Sequence, residues 1–408
     1  MNIILVAIPV FFILIAAELI AEKVRKTQYY RTNDAITSLS IGALSRVVGV
    51  IKNLVPLTFY VLIYQNFALF ELQSSWLVWL AAFVIYDFSY YWNHRFGHEV
   101  NLFWAAHVVH HSSEDYNLTT ALRQSSGSLF NFVFFLPMAL IGVDPVLFIM
   151  VASVNLVYQF WVHTQHLGKL GFLEKFLVTP SNHRVHHAQN QIYLDRNYGG
   201  VFIIWDRIFG SFQDELESEK PIYGVRKALK SWNPFYANVQ VYKQLIHDSV
   251  HTHRWSDKVR VWLGRTGWRP ADMDEKYPLA RTNLKQFSPY NTEVSMLTKA
   301  YCILQYVIIS VVALYLMMNA GTLTFATQLG LAFFIVAASV NLAWLMENKV
   351  GAFWLEWAKL FALLIVLFVA GPINIIAFLV LPILISLLLL FSVQFKTNIN
   401  ASSDGNFS

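Results

Sequence analysis

The sequence predicts an all-α, polytopic integral membrane protein with a histidine-rich cap on its cytoplasmic face. Three observations carry that expectation. The 408 residues are 56% hydrophobic and only 13% charged, against about 25% charged in an ordinary soluble domain. Apolar runs recur along the chain, several approaching the roughly 20 residues that cross a bilayer. Ten of the 13 histidines fall between positions 94 and 187, among the polar segments that separate those runs.

The elements follow in order. Residues 1–20 are apolar apart from Asn2 and Glu18, and Lys23, Arg25 and Lys26 come next. A secretory signal has its positive charge before the apolar stretch. The reverse order predicts a retained helix whose C-terminal end is cytoplasmic. Residues 36–53 carry Arg46 and Lys52, and their first part reads as an interfacial helix. Residues 54–70 cross outward, and 76–92 cross back to end near His94. Residues 129–140 and 146–162 read as a hairpin hinged on Gly142-Val-Asp-Pro145 that returns at His163. The polar stretch 164–297 mixes short helices and loops over the histidines, with a turn-rich loop at Gly264–Asp274.

Four more apolar runs follow, at 300–318, 323–346, 353–370 and 373–395. Their outer loops, around 319–322 and Gly371-Pro372, carry no charge; Glu347 and Lys349 lie in the inner loop, and Lys396 follows the last run. Lysine and arginine placement thus gives one orientation throughout and puts every histidine cluster on the cytoplasmic face, of a bacterial inner membrane or an endoplasmic reticulum. Three regions result: 1–297, a four-helix region 298–397, and a polar, disordered tail 398–408. The four C-terminal runs lack clustered ionisable residues; Glu356 and Lys359 are spaced to pair.

The net charge of +5 and pI near 9.0 come from basic residues in loops beside apolar runs. They point to topology and anionic headgroups rather than nucleic acid. The single cysteine, Cys302, rules out an intrachain disulfide and a thiolate metal set.

The histidine clusters read His94-x-x-x-His98, His107-x-x-His110-His111 and His183-x-x-His186-His187, with His163 between the last two. On a helix, spacings of three and four share one face, so each cluster aims two or three imidazoles at one point. Nine such side chains exceed the needs of one ion and suit two metals about 3.5–4 Å apart. A lone histidine between membrane helices is more often a satisfied hydrogen-bonding group. That reading fits the loosely spaced His247, His251 and His253, while His166, three residues from His163, is balanced between the two. Imidazole suits iron, zinc, copper and nickel, not magnesium or calcium. A zinc hydrolase needs about three protein ligands per ion, and no His-Glu-x-x-His occurs. The surplus of imidazoles and an apolar, unactivated substrate favour paired iron with O2; zinc can substitute for iron.

These residues resemble the fatty acid hydroxylase and sterol desaturase superfamily, and within it the alkylglycerol monooxygenase family. The resembling stretches are Arg31-Thr-Asn-Asp-Ala-Ile-Thr-Ser-Leu-Ser40, Tyr86-Asp-Phe-Ser-Tyr-Tyr-Trp-Asn-His94, the run His107 to Gln124, Thr179 to His187, Tyr193 to Gly200 and Trp205 to Phe212. The resemblance covers residues 30–240 well. It implies that 1–297 is a fatty acid hydroxylase-like catalytic domain. It also implies a di-iron, O2-dependent monooxygenase that hydroxylates the ether-linked carbon of an alkylglycerol, with tetrahydrobiopterin as reductant. It carries metal ligation onto His94, His98, His107, His110, His111, His163, His183, His186 and His187, and the family's acid after the second cluster onto Glu114. Two positions depart from the family: Asn182 stands where a histidine is usual, and His166 has no counterpart.

Two other functions compete with this one. The first is a sterol or fatty-acyl hydroxylase or desaturase with another electron donor, such as a redox protein. The second is a metal transporter or sensor, which would need ionisable residues along its spans. Asp87, two helical turns before His94, is the candidate to orient a ligand imidazole; the alternative is a polar residue near a helix end. Glu114 and Asp115 are candidates for orienting ligands or donating protons, or are solvated loop charges. Arg123 and Arg184 are candidates for holding a headgroup or cofactor, or for snorkelling at the interface. Tyr90, Tyr91, Trp92 and Trp104 are candidates for lining an entry, or for core.

Overall fold

In the computed structural model the described residues are 3–52, 54–127, 130–349, 351–370 and 380–393. The tail 398–408, the loop Gly371-Pro372 and Lys396 lie outside them. Among the described residues every regular element is helical. The extended contacts are three isolated bridges, Val100 with Arg265, Leu177 with Phe202 and Ala188 with Tyr223.

The helices are α1 Ile3–Arg25, α2 Thr32–Lys52, α3 Leu54–Phe67, α4 Trp76–Glu99, α5 Asn101–His111 and α6 Leu118–Ala121. Then come α7 Leu136–Ile141, α8 Pro145–Trp161, α9 Pro180–His187, α10 Ile204–Ile208, α11 Pro234–His251, α12 Trp255–Leu263 and α13 Ala271–Lys276. The C-terminal set is α14 Met296–Asn319, α15 Phe325–Met346, α16 Ala352–Ala370 and α17 Val380–Val393. Two compact units hold them. The first comprises residues 1–31, 48–229 and 238–289; the second comprises 32–47, 230–237 and 290–408.

In the first unit, Gly142 closes α7 in the left-handed region at φ +100°. Asp144 then caps α8 by accepting from the backbone N–H groups of Val146 and Leu147, with Pro145 in the first turn. Glycine at that φ and proline at a helix start are what a tight hairpin needs, so the expected hinge forms where its residues stand. Tyr60, Phe135, Met138 and Val151 make a core between α3, α4, α7 and α8. Glu18, the one acid in the first apolar run, is buried. It accepts from the hydroxyls of Tyr30 and Thr164 and from the Leu118 N–H at 2.8 Å. A carboxylate tolerates burial when its lone pairs are used in this way.

Two helices, Met296–Asn319 and Phe325–Met346, are long and apolar enough to cross a membrane among the described residues; counting Thr32–Val50 with Leu54–Phe67 as one bent span makes three. The hairpin helices are shorter than a full crossing. The 17 residues of α8 rise about 25 Å, against about 30 Å of hydrocarbon.

Two expectations are corrected in the second unit. The first part of α2 is not an interfacial helix, because its polar residues Asn33, Asp34, Thr37 and Ser38 are buried. Partners nearby make this affordable: Asn33 Nδ2 donates to the Thr292 carbonyl at 3.0 Å and Thr37 Oγ1 to the Trp232 carbonyl at 3.3 Å. The C-terminal helices also do hold clustered ionisable and polar groups. Lys359 pairs with Glu356 at 2.6 Å, as its spacing allows. Glu356 further accepts from the Tyr301 hydroxyl and, at 2.7 Å, from Asn341. Lys359 donates to Gln305 at 3.0 Å, and Gln305 to Ser386 at 2.7 Å. The members come from four helices, so no single run shows the cluster.

Candidate metal centre

Four backbone elements present the histidines. His94 and His98 are one turn apart at the end of α4. His107, His110 and His111 line the last turns of α5. His163 follows α8 directly. Helix α9 carries His183, His186 and His187, and it starts where Thr179 caps it, with Pro180 in its first turn. Asn182 completes a reciprocal cap, its Oδ1 accepting from the Thr179 N–H at 3.2 Å. The departure from histidine at this position therefore has a local structural use.

The nine side chains form two groups. One holds His94, His98, His107, His111 and His186; the other holds His110, His163, His183 and His187. Within each, one ring nitrogen per residue lies within 4.8 Å of the others. The rings are held from behind. The Nδ1 atoms of His94, His163, His186 and His110 sit 2.7, 2.7, 2.9 and 3.2 Å from the carbonyl oxygens of Tyr198, Gln159, Arg196 and Arg123. A carbonyl only accepts, so each of these nitrogens donates its proton. In the neutral ring, Nε2 is then a bare lone pair.

Those lone pairs converge. Nε2 of His110 faces Nε2 of His163 at 3.3 Å, and neither has a proton to place between them. Nε2 of His94 is 3.0 Å from that of His107, and Nε2 of His163 is 3.1 Å from that of His183. Nε2 of His98, His186 and His187 is buried with no hydrogen-bond partner. Facing acceptors repel unless a cation lies between them. Separations of 3.0–3.3 Å suit neighbouring ligands of one ion with metal–nitrogen bonds of about 2.1 Å. The residues present therefore fit two metal ions, one in each group. Burial pushes the His110 imidazole down to about 4, so it is neutral and ready to ligate near pH 7.

The other expected residues lie elsewhere. Asp87 touches no histidine. Its buried carboxylate accepts from Asn155 at 2.7 Å, from the Val201 and Phe202 N–H groups at 2.8 and 3.0 Å, and from the Trp205 indole at 3.0 Å. Three of these four donors belong to the stretch that follows Tyr198, whose carbonyl faces His94. Gly200 is part of that approach: a Cβ there would stand 2.8 Å from the Tyr90 ring and 2.9 Å from Asp87. Glu114 is half-buried, with its Cγ 2.9 Å from where a Cβ on Gly224 would be, and belongs to neither group. Asp115 pairs with Arg31 at 2.8 Å.

Arg123 is fully buried and donates to the Val109 carbonyl at 3.1 Å and to Ser112. Arg184 is forked onto Glu215 at 2.9 and 2.7 Å. Both guanidinium groups are committed inside the protein rather than held for a headgroup or snorkelling. His166 lies outside both groups, edge-on to Tyr29. Nδ1 of His247 is 3.3 Å from Asp248, and Nδ1 of His251 is 2.8 Å from the His247 carbonyl.

Residues not singled out by sequence complete the surroundings. Asp206 is buried, and its carboxylate accepts from the Tyr198 and Gly199 N–H groups, both at 2.7 Å, and from Ser211 at 2.7 Å. Burial pushes that carboxyl up to about 6. Its place in the run Trp205 to Phe212 was visible, but its task of fixing the Tyr198 turn was not. The ring anchors are main-chain carbonyls, which every residue has and no sequence can mark. A cavity of about 500 Å³ reaches His98, His111, His186 and His187, with Trp104 on its wall. The other proposed entry aromatics are committed elsewhere: Tyr90 donates to Gln159 at 2.7 Å, the Tyr91 hydroxyl is 2.9 Å from that of Ser211, and Trp92 packs on Phe209.

Comparison with known proteins places this centre in a family. The fatty acid hydroxylase family model matches residues 79–211, a stretch that contains all nine histidines. The chain is 37% identical to alkylglycerol monooxygenase of Homo sapiens over 356 residues, covering 84% of this chain and 77% of that one. It is 38% identical to the Xenopus tropicalis enzyme of the same name over 353 residues, covering 85% and 78%. Human lathosterol oxidase is 26% identical over 173 residues, 40% of this chain and 53% of its own. No solved structure matches. Because the likeness spans most of both chains and includes the whole histidine assembly, the protein belongs to the alkylglycerol monooxygenase family of fatty acid hydroxylases and is a lipid monooxygenase.

Proposed function

We propose that the two histidine groups hold two iron ions, and that the protein uses O2 and a reduced pterin to hydroxylate the ether-linked carbon of an alkylglycerol. The observation that carries this reading is the pair His110 and His163. Their protons are turned to main-chain carbonyls and their Nε2 lone pairs face each other at 3.3 Å. The names of the relatives, alkylglycerol monooxygenase, support the choice of substrate. Bound there, paired iron supplies the activation of O2 that unactivated C–H bonds require.

The chain's own residues bind and orient. Trp104, Val108 and Leu245 give the cavity an apolar wall beside the histidines. Two buried amide atoms of the same wall, Oε1 of Gln189 and Nε2 of Gln240, have no protein partner and suit the hydroxyls of a glyceryl head. Gly224 also lines the cavity, and we assign proton delivery there to Glu114, which lies against it. Asp87 and Asp206 keep the His94 anchor in place. The C–H bond next to an ether oxygen is weakened. One oxygen atom of O2 enters it; the other leaves as water, with two electrons from the pterin and two protons. The resulting hemiacetal falls apart to an aldehyde and glycerol.

Purified protein supplied with iron, O2, an alkylglycerol and tetrahydropterin is expected to release a fatty aldehyde. No aldehyde from iron-loaded protein, together with a hydroxyl or double bond gained by a sterol or acyl lipid under another reductant, would make the second hydroxylase reading correct.

The centre is further proposed to face the cytoplasm, from the lysine and arginine bias. In a Cys302→Ser background, an impermeant thiol reagent is expected to label Glu71→Cys and to spare Lys220→Cys in sealed cells. The opposite pattern rejects the orientation.

A further inference from the structure

We propose that α12, with the end of α11 that leads into it, is a docking element for an anionic lipid surface, lying in the headgroup layer and braced against the helix that carries three of the histidines. The short run Trp-Ser-Asp-Lys-Val-Arg-Val-Trp-Leu has two faces. The inner face is fixed. Val261 is buried and clusters with Ala105 of α5 and Leu245 of α11. Its carbonyl accepts from Asn101 Nδ2 at 2.9 Å.

The outer face is apolar and exposed. Trp255, Val259 and Leu263, spaced by four, are 82%, 60% and 62% exposed. Ile246 and Val250, also four apart on α11, are 53% and 63% exposed. Around this stripe lie Arg254, Lys258 and Arg260 against Asp257, while Arg265 faces Asp195 at 3.9 Å. The Lys258 ammonium lies 5.5 Å from the Trp255 ring centroid while donating to the Ser249 and Val250 carbonyls at 2.9 and 2.8 Å. An apolar stripe with tryptophan at one end and flanking cations is the composition of a helix that lies in a membrane surface. Excess positive charge selects anionic headgroups.

The C-terminal end of α12 is fastened to the junction of α4 and α5: the Asn101 N–H donates to the Gly264 carbonyl at 3.0 Å and the Thr266 N–H to the Glu99 carbonyl at 3.1 Å. A protein partner is the poorer occupant. A helix about 13 Å long offers far fewer than the roughly 20–30 residues a side of a stable protein interface, whereas a lipid surface needs no more. Because Leu245 and Trp268 also line the cavity, docking steadies the wall beside the histidines.

The test uses full-length protein in nanodiscs holding one copy, with Cys302→Ser and an environment-sensitive fluorophore on Val259→Cys. Emission is expected to shift to the blue and to be quenched by lipids brominated near the headgroup, more in phosphatidylcholine with phosphatidylglycerol than in phosphatidylcholine alone. The same fluorophore on Lys220→Cys is expected to report water. Emission at position 259 equal to that at 220 in both lipids would overturn the proposal. A blue shift confined to detergent and growing with protein concentration would overturn it in favour of a second copy of the chain. This readout needs no turnover, so it stands or falls separately from the substrate reading, and its quenching is independent of which side of the membrane the centre faces. In the activity arm, Trp255→Gln combined with Val259→Gln is expected to raise KM for substrate in anionic vesicles on the order of tenfold at unchanged kcat. An unchanged KM would count against the proposal.

Discussion

His163→Ala is expected to abolish lipid oxidation and to lower bound metal from about two equivalents per chain to about one, while His251→Ala leaves both unchanged. His163 is central to the smaller group. Its Nε2 lies 3.3 Å from that of His110 and 3.1 Å from that of His183, and the Gln159 carbonyl fixes its ring. Removing it leaves three imidazoles for one ion. The expected fall in turnover exceeds the roughly 10–100-fold cost of losing an outer hydrogen-bond partner of a ligand. His251 makes its contacts to the His247 carbonyl, far along the chain from either group. Metal analysis and turnover on the same preparations decide the matter. Two equivalents with near-normal activity in His163→Ala would remove the ligand assignment.

Asp87→Ala is expected to be the most damaging substitution outside the histidines, lowering stability by at least about 3 kcal/mol, since each buried donor that loses its acceptor costs about 1–3 kcal/mol. Four donors point at this carboxylate, and alanine would leave all of them buried and unmet. Asp87→Asn keeps the size but turns an amide N–H toward donors, so it is expected to be destabilising as well. The Tyr198 carbonyl depends on the same turn, so the His94 ring loses its anchor and metal content falls with stability. Denaturant unfolding of the detergent-solubilised variants measures the first effect and metal analysis the second. An Asp87→Ala protein that unfolds at the wild-type midpoint would show that the turn holds itself.

Much of the molecule was legible in the chain because it depends on local rules. Helical spacing of four put His94 with His98, His107 with His111 and His183 with His187, but spacing of three did not keep partners together, since His107 and His110, and likewise His183 and His186, fall in different groups. Gly142, Asp144 and Pro145 specified a hinge by their own backbone preferences. The apolar runs marked the helices from α14 to α17. Each of these signals lives within a few residues and survives being read one dimension at a time.

The rest was decided by contacts between segments far apart in sequence. Asp87 lies two turns from His94, which suggested a direct contact. In the fold its carboxylate instead meets donors from residues 155 and 201–205, because α4 packs against that turn. The buried cluster of Glu356, Lys359, Asn341, Gln305 and Ser386 draws on four helices and looks like nothing in any one of them. Arg123 and Arg184 could not be told from surface cations until Val109 and Glu215 were seen beside them. By itself the sequence determined the helical class, the family and which histidines are clustered. Only the tertiary structure decided how those histidines divide into groups of five and four and which nitrogen of each anchored ring faces inward, because main-chain carbonyls hold the rings, and a carbonyl is placed by the fold and not by the identity of its residue.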